Sequence, residues 1–166
     1  MQKRCLPLLL LSLLCLSHGV SAQGGEERQQ KVEQTWGDWS RICTTGEPRV
    51  CQVVQSANQD ETGNLIFQTS IGYVANNDRP IMYLTAPLGI FLPRGISVIV
   101  DDDPPLTATV QKCDGNGCLG LLALSQDAIE SLKAGTQAQV VFGASAQQNV
   151  SIPLSLDGFG AAFDAL

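Results

Sequence analysis

A chain of 166 residues that sets ten Lys+Arg against sixteen Asp+Glu is acidic, and its formal net charge of -6 repels nucleic acid and anionic lipid. Its one histidine, His18, lies in the leader segment described next. Past that leader there is no histidine for a catalytic triad, a general base or a His-ligated zinc.

Lys3 and Arg4 precede a largely aliphatic run from Leu6 to Leu16, and Val20-Ser21-Ala22 follows as a small-residue cleavage site. This is the pattern of a secretory signal peptide over residues 1–22, cut near Ala22. The run is too short to span a bilayer comfortably. Cys15 follows Leu13 and Leu14, where lipidation would want a small residue, so no lipid anchor is expected. Loss of the leader removes two basic residues and no acidic one, so eight bases face sixteen acids and the net charge becomes -8. What remains fits one domain, located in the periplasm, at the cell surface or outside the cell.

Residues 23–35, mostly the polar "QGGEERQQKVEQ", show no apolar period and read as a flexible lead-in, with order beginning at Trp36. "WGDWSRIC" and "VCQVVQS" flank "TTGEPR", whose Gly46 and Pro48 suit a turn between antiparallel strands. "NLIFQTSIGYVAN" carries Ile66, Ile71 and Tyr73 near the period of two expected of a half-buried strand. "PIMYLTAP" follows the break "NNDRP", "GISVIVD" stops at "DDDPP", and "LTATVQKC" puts Leu106, Ala108 and Val110 on one face. "CLGLLALS" is continuously apolar, as in a strand buried on both faces. Ser125 can cap a short helix in "QDAIESLKAG", with Ala128, Ile129 and Leu132 as its apolar face and Gly135 at its end. "AQVVFG" and "NVSIPLSL" return to the strand pattern. Short strands broken by Gly, Pro, Asn and Asp predict an all-β fold, an antiparallel sandwich or barrel with one or two short helices.

Four cysteines remain after the leader: Cys43, Cys51, Cys113 and Cys118. An even number in an exported chain favours disulfides. Of three possible pairings, sequence geometry prefers Cys43 with Cys51 across the "TTGEPR" turn and Cys113 with Cys118 across "DGNG", where Gly115 and Gly117 can take positive φ. The gaps of seven and four residues suit neither a four-thiolate zinc site nor a Cys-x-x-Cys redox pair, and no metal is expected.

Asp101-Asp102-Asp103 is the densest carboxylate run, but neighbours on an extended chain point apart, so a solvated turn is expected rather than a calcium loop. Asp38, Asp78 and Asp157 lie in turns. Ser70, Ser97, Ser125 and Ser155 lack the G-x-S-x-G elbow and a histidine partner. No catalytic residue and no cofactor is expected, and the chain reads as non-enzymatic. "TAPLGIFLPRGI", with Leu88, Ile90 and Phe91, reads either as a partner-binding edge or as a core strand with an irregular start. Trp36 and Trp39 read either as a partner or carbohydrate platform or as core. Asn149-Val150-Ser151 matches a glycosylation sequon, relevant only in a eukaryotic secretory pathway.

"GDWSRIC" with Cys51 after it, "APLGIFLPRGISVIVDD", the cysteines around "DGNG", "LKAGTQAQVVF" and the ending "IPLSLDGFGAAFDAL" together resemble the invasion-associated locus B family of bacterial exported proteins, over residues 36–166. The resemblance implies an immunoglobulin-like β-sandwich, export, and disulfides at the four cysteines. It also implies action by contact with a protein partner in the cell envelope or on a host-cell surface, as in host invasion or adhesion by pathogenic relatives. A periplasmic envelope-maintenance factor, or a small-ligand or glycan binder using Trp36 or Trp39, is the alternative. In a sandwich, "SIPLSL" becomes a last strand, Asp157-Gly158 turns the chain, and Phe159, Ala162, Phe163 and Leu166 form a stripe that packs back on the domain.

Overall fold

The computed structural model describes residues 29–58 and 65–166, so the signal peptide and cleavage site expected over residues 1–22, and residues 23–28 of the expected lead-in, lie outside the described residues. Ten strands follow in order: β1 (Gln30–Trp36), β2 (Trp39–Thr44), β3 (Cys51–Asn58), β4 (Leu65–Gly72), β5 (Ile81–Ala86), β6 (Ile96–Val100), β7 (Leu106–Asp114), β8 (Gly117–Ala123), β9 (Ala138–Gly143) and β10 (Asn149–Leu154). Helix α1 (Gln126–Ala134) lies between β8 and β9, and α2 (Phe159–Asp164) follows β10. The fold is therefore all-β and antiparallel with two short helices among the described residues.

The strands form one ladder, β1-β2-β3-β4-β5-β8-β7-β6-β9-β10. β7 is its corner. Leu106 to Ala108 pair with Val98 to Ile96 of β6, whereas Thr109 to Asp114 pair with β8. A strand shared in this way lets a sheet fold over on itself. Both halves bury side chains in one cluster, with Val53 of β3 and Met82 of β5 from one half and Val98 of β6 and Val140 of β9 from the other. The far end of the curl is closed by side chains: Gln55 of β3 donates to the Ser155 carbonyl at 3.0 Å and accepts from the Ser155 N–H at 2.9 Å, while the Trp39 indole N–H donates to the same carbonyl at 2.9 Å.

Several local expectations are met. Ser125 caps α1 by accepting from the Ala128 N–H at 3.2 Å, and Ala128, Ile129 and Leu132 are buried. At the end of the chain Phe159, Ala162 and Phe163 are buried and Leu166 packs against the same cluster. Gly158 turns into α2 with φ +79, and a Cβ there would lie 2.0 Å from the Trp36 carbonyl oxygen. Only glycine fits that junction.

Four expectations need correction. Order is already present at Gln30, ahead of Trp36: Gln30 to Thr35, expected in the lead-in, belong to a strand paired with β2 from Gln30↔Thr44 to Trp36↔Trp39. Its side chains are nearly all exposed, so the backbone ladder and the ion pairs of Glu33 with Arg41 (3.3 Å) and Arg49 (2.5 Å) hold it, and no apolar period shows. In β4 the inward set is Phe67, Thr69 and Ile71, opposite in parity to Ile66, and Tyr73 lies past the strand 44% exposed. β8 buries Cys118 and Gly120 but leaves Leu119 and Leu121 half-buried, so one face alone is core. At the β7–β8 turn Gly117 takes φ +125 while Gly115 does not need positive φ.

Candidate interaction site

The segment from Pro87 to Gly95 connects β5 to β6 and carries two of the three most exposed large hydrophobic side chains among the described residues, Leu88 and Leu92, within five residues of one another. Ile90 is buried and anchors its middle. The Phe91 N–H donates to the Gly143 carbonyl at 2.7 Å, fixing the segment to the end of β9. Leu92 to Arg94 make one 3-10 turn with Pro93 inside it. Arg94 then ties the turn to the β9–β10 connection, donating from Nη1 to Asn149 Oδ1 at 2.7 Å and from Nη2 to the Ala146 carbonyl at 2.6 Å. Gly95, at φ +65, passes so close to β7 that a Cβ would sit 2.7 Å from the Ala108 oxygen.

Clamped in this way, the segment leaves Leu88 58% and Leu92 50% exposed. Holding two aliphatic side chains out on a backbone that is already fixed removes most of the ordering cost a partner would otherwise meet. Beside the segment lie two grooves of about 310 Å³ each. One runs between Leu92–Gly95 and residues 107–113 of β7. The other crosses the outer face of β6 and β9 by Ile99 and Val141 to Asn149. Arg94 and Gly95 line both.

The other residues singled out from sequence fall elsewhere. Trp39 is fully buried, with the Phe159 ring edge-to-face at a centroid distance of 4.9 Å, so it cannot present a surface to a partner or sugar. Trp36 is half-buried, and the Arg41 guanidinium lies 5.9 Å from its ring centroid. Both tryptophans are at the Leu154 end of β10, whereas the clamped segment is at its Asn149 end. The structure therefore does not gather Trp36 and Trp39 with Leu88, Ile90 and Phe91. Of the last three, Leu88 is exposed, Phe91 half-buried and Ile90 core. Leu92 and Arg94 were not singled out; an arginine following Leu-Pro reads as an ordinary solvated charge, and nothing nearby in the chain signals its distant acceptors.

Disulfides join Cys43 to Cys51 and Cys113 to Cys118, each between directly opposed residues of neighbouring strands. Glu33 lies beside the first pair, but both sulfurs are consumed by the bond and offer no thiolate to a metal. The three adjacent aspartates diverge. Asp101 accepts from the Thr136 N–H (3.0 Å) and hydroxyl (2.8 Å) and from the Gln137 N–H (2.9 Å), and these bonds, the Thr136 amide foremost, hold its carboxyl below the usual carboxylate range. Asp103 instead accepts from the Ser131 hydroxyl at 2.5 Å. The run is a turn that ties the β6–β7 connection to α1 through Asp103 and to the segment after α1 through Asp101.

Two invasion protein B homologs of Brucella abortus, from strain 2308 and from biovar 1 strain 9-941, are each 29% identical to this chain over 137 residues, 81% of this chain and 79% of theirs. The crystal structure of invasion associated protein b from Bartonella henselae shares the fold at a TM-score of 0.70 and 21% identity, covering 81% of this chain and 95% of that one. The family model described as Invasion associated locus B (IalB) protein matches residues 39–166, nearly all of the described fold, and the chain belongs to that family.

Proposed function

We propose that this is an exported, non-enzymatic binding protein that contacts a protein partner through the segment presenting Leu88 and Leu92, in the cell envelope or on a host-cell surface. The observation that carries the reading is the exposure of those two side chains on a backbone pinned by Phe91, Arg94 and Gly95. Exposed apolar side chains held together on a fixed backbone mark contact surfaces, and Arg94 beside them is of a residue type enriched among the few that carry interface energy. Two disulfides suit an oxidising compartment. The Brucella and Bartonella relatives are named for invasion, which favours a contact role over catalysis. The glycan-binding alternative loses Trp39, which is fully buried, and is left with the half-buried Trp36, whose ring has the Arg41 guanidinium 5.9 Å from its centroid.

A photo-crosslinking residue placed at Leu88 in living cells tests the reading. One discrete crosslinked band, lost when Leu92→Asp is added and absent when the probe sits at exposed Val32, is the expected result. Labelling no different from Val32 overturns it. Protease treatment of intact bacteria, compared with cells whose outer membrane has been opened, separates a surface partner from a periplasmic one.

A further inference from the structure

We propose that the two grooves meeting at Arg94 form one channel for an extended, otherwise uncharged segment of the partner that carries one carboxylate, received by the Arg94 guanidinium. This rests on the contact reading above and adds the chemistry of what is contacted. The first support is charge. The protein carries sixteen acids against ten bases, yet among the described residues no carboxylate lines either groove, and the charged side chains that do are Arg94 and Lys112. By contrast, the depression between α1 and the β6–β7 turn is lined by Asp103 and Asp127.

The second support is how those two cations are satisfied. Lys112 is paired with Asp114 at 2.8 Å. Arg41 and Arg49 share Glu33, and Lys133 is paired with Asp164. Arg94 has only neutral acceptors, the Asn149 amide oxygen and the Ala146 carbonyl, so no carboxylate compensates its charge among the described residues. Arg79 is likewise bonded only to carbonyls, those of Leu124 and Ala123, but lines neither groove. A guanidinium has five N–H donors, and two used on neutral partners fix its orientation while leaving others for a carboxylate.

The third support is the lining. Thr107, Thr109 and Gln111 offer side-chain hydrogen bonds along β7, and Val110, Leu92 and Val141 offer apolar seats, a mixture that suits an extended chain of alternating polar and apolar residues. A second copy of this acidic chain, or a polyanion such as nucleic acid, would be repelled overall. A single carboxylate placed in the channel would not.

The test titrates the exported, disulfide-bonded protein, isotopically labelled for NMR, with three blocked peptides, Ac-Ser-Thr-Leu-Thr-Xaa-Thr-Leu-Ser-Thr-NH2, in which Xaa is Asp, Asn or Lys. The Asp peptide is expected to shift the Gly95, Thr109 and Gly143 amides and to bind about tenfold more tightly than the Asn peptide, the difference between a charge-assisted and a neutral hydrogen bond. That advantage should shrink in about 0.5 M NaCl. Arg94→Gln should bring the Asp and Asn peptides to equal affinity, and Arg94→Lys should retain part of the preference. Equal binding of Asp and Asn peptides to the wild-type protein, shifts confined to other surfaces, or no binding at all each overturn the proposal, and none depends on a variant folding. If Leu88 crosslinks a partner while the peptides show no Asp preference, the contact reading survives and the channel falls. If Leu88 crosslinks nothing and the Asp preference appears, the channel stands without the apolar contact.

Discussion

Trp39 and Phe159 meet edge to face, ring centroids 4.9 Å apart and planes inclined at 64°, joining the second strand to the last helix. Phe163 adds a third ring 5.7 Å from Phe159. Both partners of the first contact are fully buried, so α2 closes the open end of the curled sheet. Phe159→Ala should therefore cost about 3 to 5 kcal/mol, the range for emptying an aromatic site in a core. Deleting residues 159–166 should lower the melting temperature markedly and shift tryptophan emission to the red as Trp39 meets water. A truncated protein that melts with the full chain would refute the closure.

Gly158 and Gly46 separate two sources of glycine requirement. Both have positive φ, +79 and +87. A Cβ at Gly46 would meet nothing within 4 Å, whereas at Gly158 it would meet the Trp36 carbonyl at 2.0 Å. Gly46→Ala should cost only the left-handed backbone penalty, roughly 1 to 2 kcal/mol. Gly158→Ala adds a backbone clash that must displace α2 or the β1–β2 turn. Denaturant melts of the two variants should differ by more than that single penalty, and equal losses would count against the tight crossing.

The two disulfides close loops with sequence separations of 8 and 5. On the chain-entropy model these are worth about 2.5 and about 2 kcal/mol. Replacing both cysteines of a pair with alanine, which puts no hydroxyl at the buried Cys43 and Cys118 positions, should cost close to those amounts, and the quadruple variant close to their sum, since β2–β3 and β7–β8 lie apart in the ladder. Much larger losses from either pair would show that the bridge holds native packing rather than restricting the unfolded chain.

Leu88→Asp and Leu92→Asp should leave stability within about 0.5 kcal/mol, because both side chains already face water. Ile90→Asp, two residues from each, should unfold the segment or the protein, because it places a charge in the core. Thermal melts of the three variants decide this, and comparable destabilisation by all three would mean that Leu88 and Leu92 also serve packing.

What the sequence discloses here depends on whether a residue's role is settled by its neighbours in the chain. The cysteine pairs, the Ser125 cap and the stripe Phe159, Ala162, Phe163 are local, and were legible. β1 was not, because its pairing uses backbone groups and the charges of Glu33, Arg41 and Arg49, which carry no apolar period. Leu88, Ile90 and Phe91 are chemically alike and adjacent, so composition could mark the segment but not say that Ile90 turns inward while Leu88 stays out. Arg94 was illegible for a further reason: its acceptors, Ala146 and Asn149, lie 52 and 55 positions away on another connection.

Asp101 makes the fold sensitive to acid. Its carboxylate accepts three hydrogen bonds from Thr136 and Gln137, which favour the ionised form and depress its pKa in the folded state. A depressed folded pKa means that the unfolded chain binds the proton more readily, so this stabilisation is fully present above the unfolded value of about 3.9 and is lost as pH falls through the lower folded value. Asp101→Asn removes the titration while keeping a residue type that tolerates the φ of +45 found there. Wild type should be the more stable of the two near neutrality, and the gap should narrow below about pH 4. A gap that stays constant down to about pH 2 would show that these hydrogen bonds do not distinguish the ionised carboxylate from the neutral one.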